Sequence, residues 1–239
     1  MSGLLLLSVT HKPYRVPPCD WIRQVSVFDV EGARKIPEAM PGWRLDSFDA
    51  DKAAMDEDAE YVGVTTYRRY PVFLDQHRIT QPKLFAEPKQ DILDYLASPD
   101  QRDAALRLLA SHDVIQFRPW YLSYCNQEQF CLYLPAEAWE ILMGVLDHLG
   151  MGASLGDCET NNAHVWCNLF IARRDVFCRY AEFVFRAAAM LVSDGRFRAM
   201  AEANKRLLPM CLERIAPLYA LHYRLRSAFV PLLTLEEGA

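Results

Sequence analysis

No stretch of this 239-residue chain is apolar for long enough to cross a bilayer. The N-terminal apolar run, Leu4-Leu5-Leu6-Leu7, is short and has no basic segment before it, so it does not read as a signal peptide. The seven cysteines are an odd set without paired spacing, which argues against a disulfide framework. Cys131, Cys167, Cys178 and Cys211 stand in apolar or strand-like surroundings and read as reduced core residues in a reducing compartment. Cys158, His164 and Cys167 match no common zinc spacing, and a fourth ligand is not evident. A glycine-rich phosphate loop, internal repeats and low-complexity tracts are all missing. The absence of such a loop removes the P-loop reading. A net charge of -5 excludes a general role in coating nucleic acid. The expected location is cytoplasmic, with room for peripheral contact at an inner membrane.

What is present suits a globular protein. The apolar share is 51% and the charged share 24%. The length allows one large domain or two small ones with a sizeable core. Charge is uneven along the chain. From Arg173 to Arg226 there are 11 Lys/Arg against 5 Asp/Glu, a balance of +6, which leaves -11 elsewhere. Such a basic third is either the solvated face of helices or a surface that meets phosphates or lipid headgroups.

Short apolar runs predict strands at 3–9, 21–28, 61–66, 113–119 and 164–172. Prolines opening "PKQDILDYLA" and "PDQRDAALRLLASH" predict two helices. Trp139, Leu142, Met143, Leu146 and Leu149 share a helical face that ends at Gly150. A further helix is expected to be capped by Asp175, to bury Phe177, Tyr180, Val184 and Leu191, and to stop at Asp194-Gly195. Pro209 and Pro217 should divide the C-terminal remainder into shorter helical pieces. Strands alternating with helices indicate an α/β fold with a mainly parallel central sheet. In such sheets ligands bind beyond the carboxyl ends of the strands.

That rule singles out three polar segments: Thr10-His11-Lys12, Tyr67-Arg68-Arg69-Tyr70 and the stretch from Arg118 to Tyr124. Arg68 and Arg69 stay charged at any working pH and suit the oxygens of a diphosphate. Tyr67 or Tyr70 can stack on a base or sugar, or pack beneath the arginines. Lys12 can meet a phosphate, and His11 can bond a ribose or base. Each segment also reads as ordinary surface loop. Asp49-Ala50-Asp51 has the Asp-X-Asp form that holds Mg²⁺ or Mn²⁺, but it precedes a strand and lies in an acidic run. A solvated acidic face accounts for it better. Glu213-Arg214 lies in an apolar segment, where a carboxylate needs a partner such as Arg214 or another arginine.

Five segments, "SVTHKPYRVP", "YVGVTTYRRYPVF", "HDVIQFRP", "CNLFIARRDVFCRYAEFVF" and "MCLERIAPLYALH", resemble in this order the blocks of the domain-of-unknown-function family 4422. That family looks like a group of GT-A-type glycosyltransferases from bacterial capsule, exopolysaccharide and O-antigen clusters. The resemblance implies one GT-A-like (Rossmann-like) domain over 1–239, with a nucleotide-binding α/β core at 1–172 and a helical C-terminal part at 173–239. It places Thr10, His11 and Lys12 in the nucleotide pocket and Tyr67, Arg68, Arg69 and Tyr70 in the conserved site. Asn168, Glu213 and Arg214 join them. Two departures stand out. The family usually has a histidine where this chain has Thr66, and an aromatic-rich helix where this chain has "DSFDADKAAMDEDAE".

The implied reaction moves a sugar from a nucleoside diphosphate donor, with UDP favoured, to a hydroxyl of a lipid-linked or growing surface glycan. Arg68 and Arg69 would stabilise the leaving diphosphate, with or without Mn²⁺ or Mg²⁺. Glu213 is the leading candidate for the base that takes the acceptor proton, with Asp157 and Glu159 in reserve. The alternative is a non-catalytic nucleotide- or glycan-binding member, or a partner subunit of a synthesis complex.

Overall fold

A computed structural model describes residues 3–10, 15, 17–26, 54–55, 57–66, 68–165 and 169–236, with the backbone alone at residues 10, 26, 66 and 157–160. His11, Lys12, the Asp49-Ala50-Asp51 segment, Tyr67, Cys167 and Asn168 lie outside the described residues.

Six strands form the central sheet: β1 (Leu4–Thr10), β2 (Ile22–Ser26), β3 (Tyr61–Thr66), β6 (Val114–Phe117), β9 (Phe170–Arg173) and β10 (Ser227–Val230). Their order is β10-β6-β9-β3-β1-β2. The pairs β1/β2, β1/β3 and β10/β6 are parallel, and β9 runs antiparallel between β3 and β6. The central sheet is therefore mostly parallel, as the alternation of strands and helices predicts. The carboxyl ends of β1, β3, β6 and β10 share one edge.

The continuous apolar run of β1 is explained by cover on both faces. Leu5, Leu7 and Val9 enter one core with Val62, Val64, Val114 and Phe170. Leu4 and Leu6 enter a second core with Ile115, Phe117 and Ile171. Gly63 pairs with Ile171 across β3 and β9. A Cβ on Gly63 would lie 2.5 Å from Ile171 Cγ1, so the sheet is closed there by the lack of a side chain.

Two helices serve the second core, α1 (Gln90–Ala97) and α2 (Pro99–Ser111). Ser98 Oγ caps α2 by accepting from Gln101 N, beside proline in the first turn. Gln101 is buried, and its Oε1 accepts from the backbone N–H of both Phe73 and Leu74, at 2.8 and 3.0 Å.

The first core is covered by α4 (Ala136–Leu146) and α6 (Arg174–Ser193), with α7 (Gly195–Ala203), α8 (Leu207–Leu212) and α9 (Ile215–His222). Between β7 (Trp120–Tyr121) and α4 lies the short α3 (Asn126–Cys131). Gly150, at φ 95°, turns the chain from a π-helical segment into α5 (Gly152–Thr160). Phe177, Tyr180, Val184 and Leu191 of α6 are all buried, as their spacing predicts. Pro209 and Pro217 do not break helices in the middle. Each sits in the first turn of a short one, where the missing N–H costs nothing.

Several expectations need correction. Asp175 is not the cap of α6: Arg173 holds that position, and the Asp175 carboxylate instead accepts from Arg173 Nη2 at 2.8 Å. The strand foreseen at 164–172 is two pieces, β8 (Ala163–His164), which pairs with β7, and β9. Cys131 is exposed rather than part of the core, whereas Cys211 is buried. The C-terminal part is not helical throughout. After α9 it supplies β10 to the central sheet and β11 (Leu232–Leu235) to a second sheet. That second sheet has the order β4-β11-β5, with β4 (Arg69–Pro71) and β5 (Lys83–Ala86) at its edges. The apolar stretch from Ala228 to Leu235 favours strand, and Pro231 divides it between the two sheets.

Candidate active site

The Tyr-Arg-Arg-Tyr block is the link between the two sheets. β3 ends the central sheet at Thr66, and β4 begins the second at Arg69. Arg68 makes the turn with φ 71°, a left-handed backbone that costs a residue with a side chain about 1 kcal/mol. Thr65 Oγ1 donates to Arg69 O, and Leu235 N donates to Arg68 O at 2.7 Å. The turn is thus tied to β11 at the far end of the chain.

Arg69 faces a cleft of about 740 Å³ at the carboxyl edge of the central sheet. Lys83 of β5, Phe117 at the end of β6, Gln129 of α3 and the Lys205-Arg206 pair before α8 also line it. Glu213 and Arg214 enter from the break between α8 and α9. Five basic side chains therefore surround one carboxylate. Burial pushes the Glu213 carboxyl pKa up, and the charges of Arg69, Arg214 and Arg206 oppose that rise. The sequence leaves two partners open for Glu213, Arg214 or another arginine. The strongest counter-charge comes from Arg69, far away in the chain.

Arg214 is buried at the back of the cleft, and its Nη2 donates to Gln129 Oε1. Close by, His164 is buried with Nε2 3.0 Å from Tyr124 O, and burial lowers its pKa. That contact commits His164 to structure. Arg118, from the third polar segment, is also committed to structure, with its guanidinium donating to the carbonyls of Gln76 and Ile79.

The structure unites Arg69, Glu213 and Arg214 in this cleft. Arg68 is not among the described residues lining it. Thr10 closes β1 beside β3, with Val9 opposite Thr66, so its backbone ends on the same sheet edge. Of the two roles open to Tyr70, stacking on a ligand or packing beneath the arginines, burial rules out the first. Tyr70 is fully buried in the second core, 3.4 Å from its hydroxyl to Ser8 Oγ, and no ligand can stack on it in this conformation. Period-two alternation explains why: with Arg69 turned to the cleft, Tyr70 must turn to the core. Lys83, Gln129, Lys205 and Arg206 are not singled out by sequence. The basic C-terminal third holds a trace of Lys205 and Arg206, but no local pattern marks Lys83 or Gln129.

The described lining suits an anion better than a divalent cation. Mg²⁺ and Mn²⁺ need several oxygen ligands, and Glu213 is the sole carboxylate among the described lining residues. No group of three or more His, Cys, Asp or Glu suited to a metal occurs among the described residues. No helix there is long and apolar enough to cross a membrane.

Comparison with known proteins agrees with this architecture. No curated protein sequence matches the chain. Among solved structures, the apo structure of WbbM, described as a bifunctional glycosyltransferase, matches with a TM-score of 0.76 at 15% sequence identity. The match covers 98% of this chain and 45% of that one, so this chain spans less than half of WbbM's length. At that identity the likeness is one of fold. Residues 53–224, which carry the arginine turn and the Glu213-Arg214 break, match the family described as "Domain of unknown function (DUF4422)". That match takes in well over half of the sequence, and the chain belongs to the DUF4422 family.

Proposed function

We propose that the chain is a glycosyltransferase. It moves a sugar from a nucleoside diphosphate donor, with UDP favoured, to a hydroxyl of a lipid-linked or growing bacterial surface polysaccharide. The observation that carries this reading is the cleft, where Arg69, Lys83, Lys205, Arg206 and Arg214 surround Glu213 at the carboxyl edge of the sheet. A fold shared with a protein described as a bifunctional glycosyltransferase supports it.

The chemistry follows from charge. As the bond between the anomeric carbon and the diphosphate oxygen breaks, negative charge grows on the leaving group. Fixed guanidinium and ammonium groups stabilise that charge most where water is thin. Arg69 is the principal such group. Arg68 assists from the turn, and Thr10, His11, Lys12, Tyr67 and Asn168 are the candidates for holding the nucleotide and sugar. In an inverting transfer, Glu213 takes the proton of the attacking hydroxyl. Its raised pKa strengthens it as a base. Residues 1–239 act as one transferase unit in this reading, because β10 and β11 complete both sheets.

A thermal-shift panel of nucleoside diphosphates and nucleotide sugars, each with Mn²⁺ and with EDTA, tests the reading. A UDP-sugar should raise the melting temperature. Stabilisation by no nucleotide would sink it. Nucleotide binding without release of diphosphate on addition of acceptor glycans would favour the non-catalytic alternative.

A further inference from the structure

Behind Arg214 lies a second cavity, of about 550 Å³, between the β6/β10 edge of the central sheet and α9. Its walls are mostly apolar, with Leu218 and Phe229 among them. Two polar groups in its lining are unusual. Gln116 and Trp139 are each 1% exposed, and the Gln116 Nε2 and Trp139 Nε1 donors have no hydrogen-bond partner. A buried donor without an acceptor is costly, and natural proteins rarely keep one without a reason.

The rim holds a third anomaly. α9 ends with Leu225 N donating to Ala220 O and Arg224 N to Leu221 O, at 2.9 and 3.1 Å. This is the Schellman pattern, and its left-handed position normally takes glycine. Here it is Arg224, at φ 52°. The strained backbone holds an exposed guanidinium at the cavity mouth, and strain of this kind clusters at binding sites. Arg226 also lines the cavity, but Asp113 already pairs with it through two side-chain hydrogen bonds of 3.0 Å. No Asp or Glu is among the described lining residues.

We propose that this cavity binds a small hydroxylated carboxylate, the chemistry of a sugar acid. Its oxygens accept from Gln116 Nε2 and Trp139 Nε1 at the floor. Its charge lies between Arg214 and Arg224, and its carbon skeleton lies against Leu218 and Phe229. The volume is in the range of small-molecule pockets. Arg214 lines both this cavity and the cleft of Glu213, so a ligand here borders the proposed transfer site. The binding itself does not depend on the transferase reading.

Titration of the intact protein with D-glucuronate, followed by thermal shift and calorimetry, tests the proposal, with D-glucose and inorganic phosphate as comparisons. Glucuronate should stabilise the protein more than either. Gln116→Leu and Trp139→Phe should each weaken its binding about three- to tenfold, the loss expected for one buried hydrogen bond. Arg224→Gly should weaken it similarly while leaving the melting temperature equal or higher, so this variant tests the site without threatening the fold. Arg69→Ala should leave glucuronate binding unchanged and weaken UDP binding alone. The proposal is overturned if glucuronate does not stabilise the protein, if phosphate or glucose does so equally, or if Arg224→Gly binds as well as wild type. Failure of UDP to bind, with glucuronate bound as described, would count against the transferase reading and not against this one.

Discussion

Arg69 and Glu213, far apart in the chain, face one cleft. Arg69 supplies the largest of the three charges that favour the Glu213 carboxylate against its burial. In the proposed transfer, one would meet the leaving group and the other the acceptor proton, so their pairing would set both halves of that chemistry.

Replacing Arg69 with alanine should weaken UDP binding roughly ten- to a hundredfold, the loss expected for charge-assisted bonds to phosphate. It should also raise the Glu213 pKa further, because the main opposing charge is gone. Calorimetry with UDP, with circular dichroism to confirm folding, measures the first effect. The acidic limb of the pH–rate profile, which should move to higher pH, measures the second.

Glu213→Gln should lower transfer by about 100- to 10,000-fold if Glu213 is the base. It should also change the pH dependence of stability. In the folded state the Glu213 pKa is raised above its ordinary value of 4.5. The folded protein then binds the proton more tightly than the unfolded chain, and stability is lost as pH rises through the folded pKa. The glutamine variant, which cannot ionise, should melt higher than wild type at pH 7 to 8, with the gap closing toward pH 4.5. Melting curves across that range would refute the assignment if the gap stayed constant.

Arg68→Gly relieves a left-handed backbone and removes a charge. Stability should rise by about 1 kcal/mol, or about 2–4 °C in melting temperature for a chain of this size. If Arg68 helps to hold the diphosphate, UDP affinity should fall in the same variant. A rise in stability with unchanged affinity would remove Arg68 from the site.

Gly63→Ala forces a methyl group onto Ile171, 2.5 Å from its Cγ1, inside the β3/β9 pairing. Overpacking of this kind should cost about 1–3 kcal/mol. Urea denaturation with an unchanged m-value would measure it.

Gln101→Met keeps the volume but strips the acceptor from Phe73 N and Leu74 N. One buried and one part-buried backbone donor left unpaired should cost about 2–3 kcal/mol. These donors lie two and three residues beyond β4, the strand that carries Arg69. UDP affinity should therefore fall along with stability, which titration of the folded variant would detect.

Much of the fold is legible in short windows. The strand over 61–66 matches residue for residue, because a continuous apolar run ends abruptly at charged residues. The helix over Pro99–Ser111 follows from the proline that opens it, and the structure adds Ser98 as its cap. The window 164–172 reads as one strand, because its apolar content says nothing of which neighbour each piece pairs with. In the site, Arg69 and Glu213 stand out as charges in apolar settings. Tyr70 has the chemistry of a stacking platform but lies one residue beyond a side chain turned to the cleft, and that position decides against it. Lys83 and Gln129 carry no signal, since each is an ordinary polar residue on a short element.

The sequence by itself determined the alternation of strands and helices, the mostly parallel sheet and the arginine turn at the end of a strand. Apolar periodicity and proline position act over a few residues, and so can be read over a few residues. Only the tertiary structure decided that β11 ties down the turn, that Arg69 rather than Arg214 most strongly opposes the burial of Glu213, and that Gln116, Trp139 and Arg224 share a second cavity. Electrostatic and hydrogen-bonding forces act over ångströms of space, and those separations exist only once distant segments have packed.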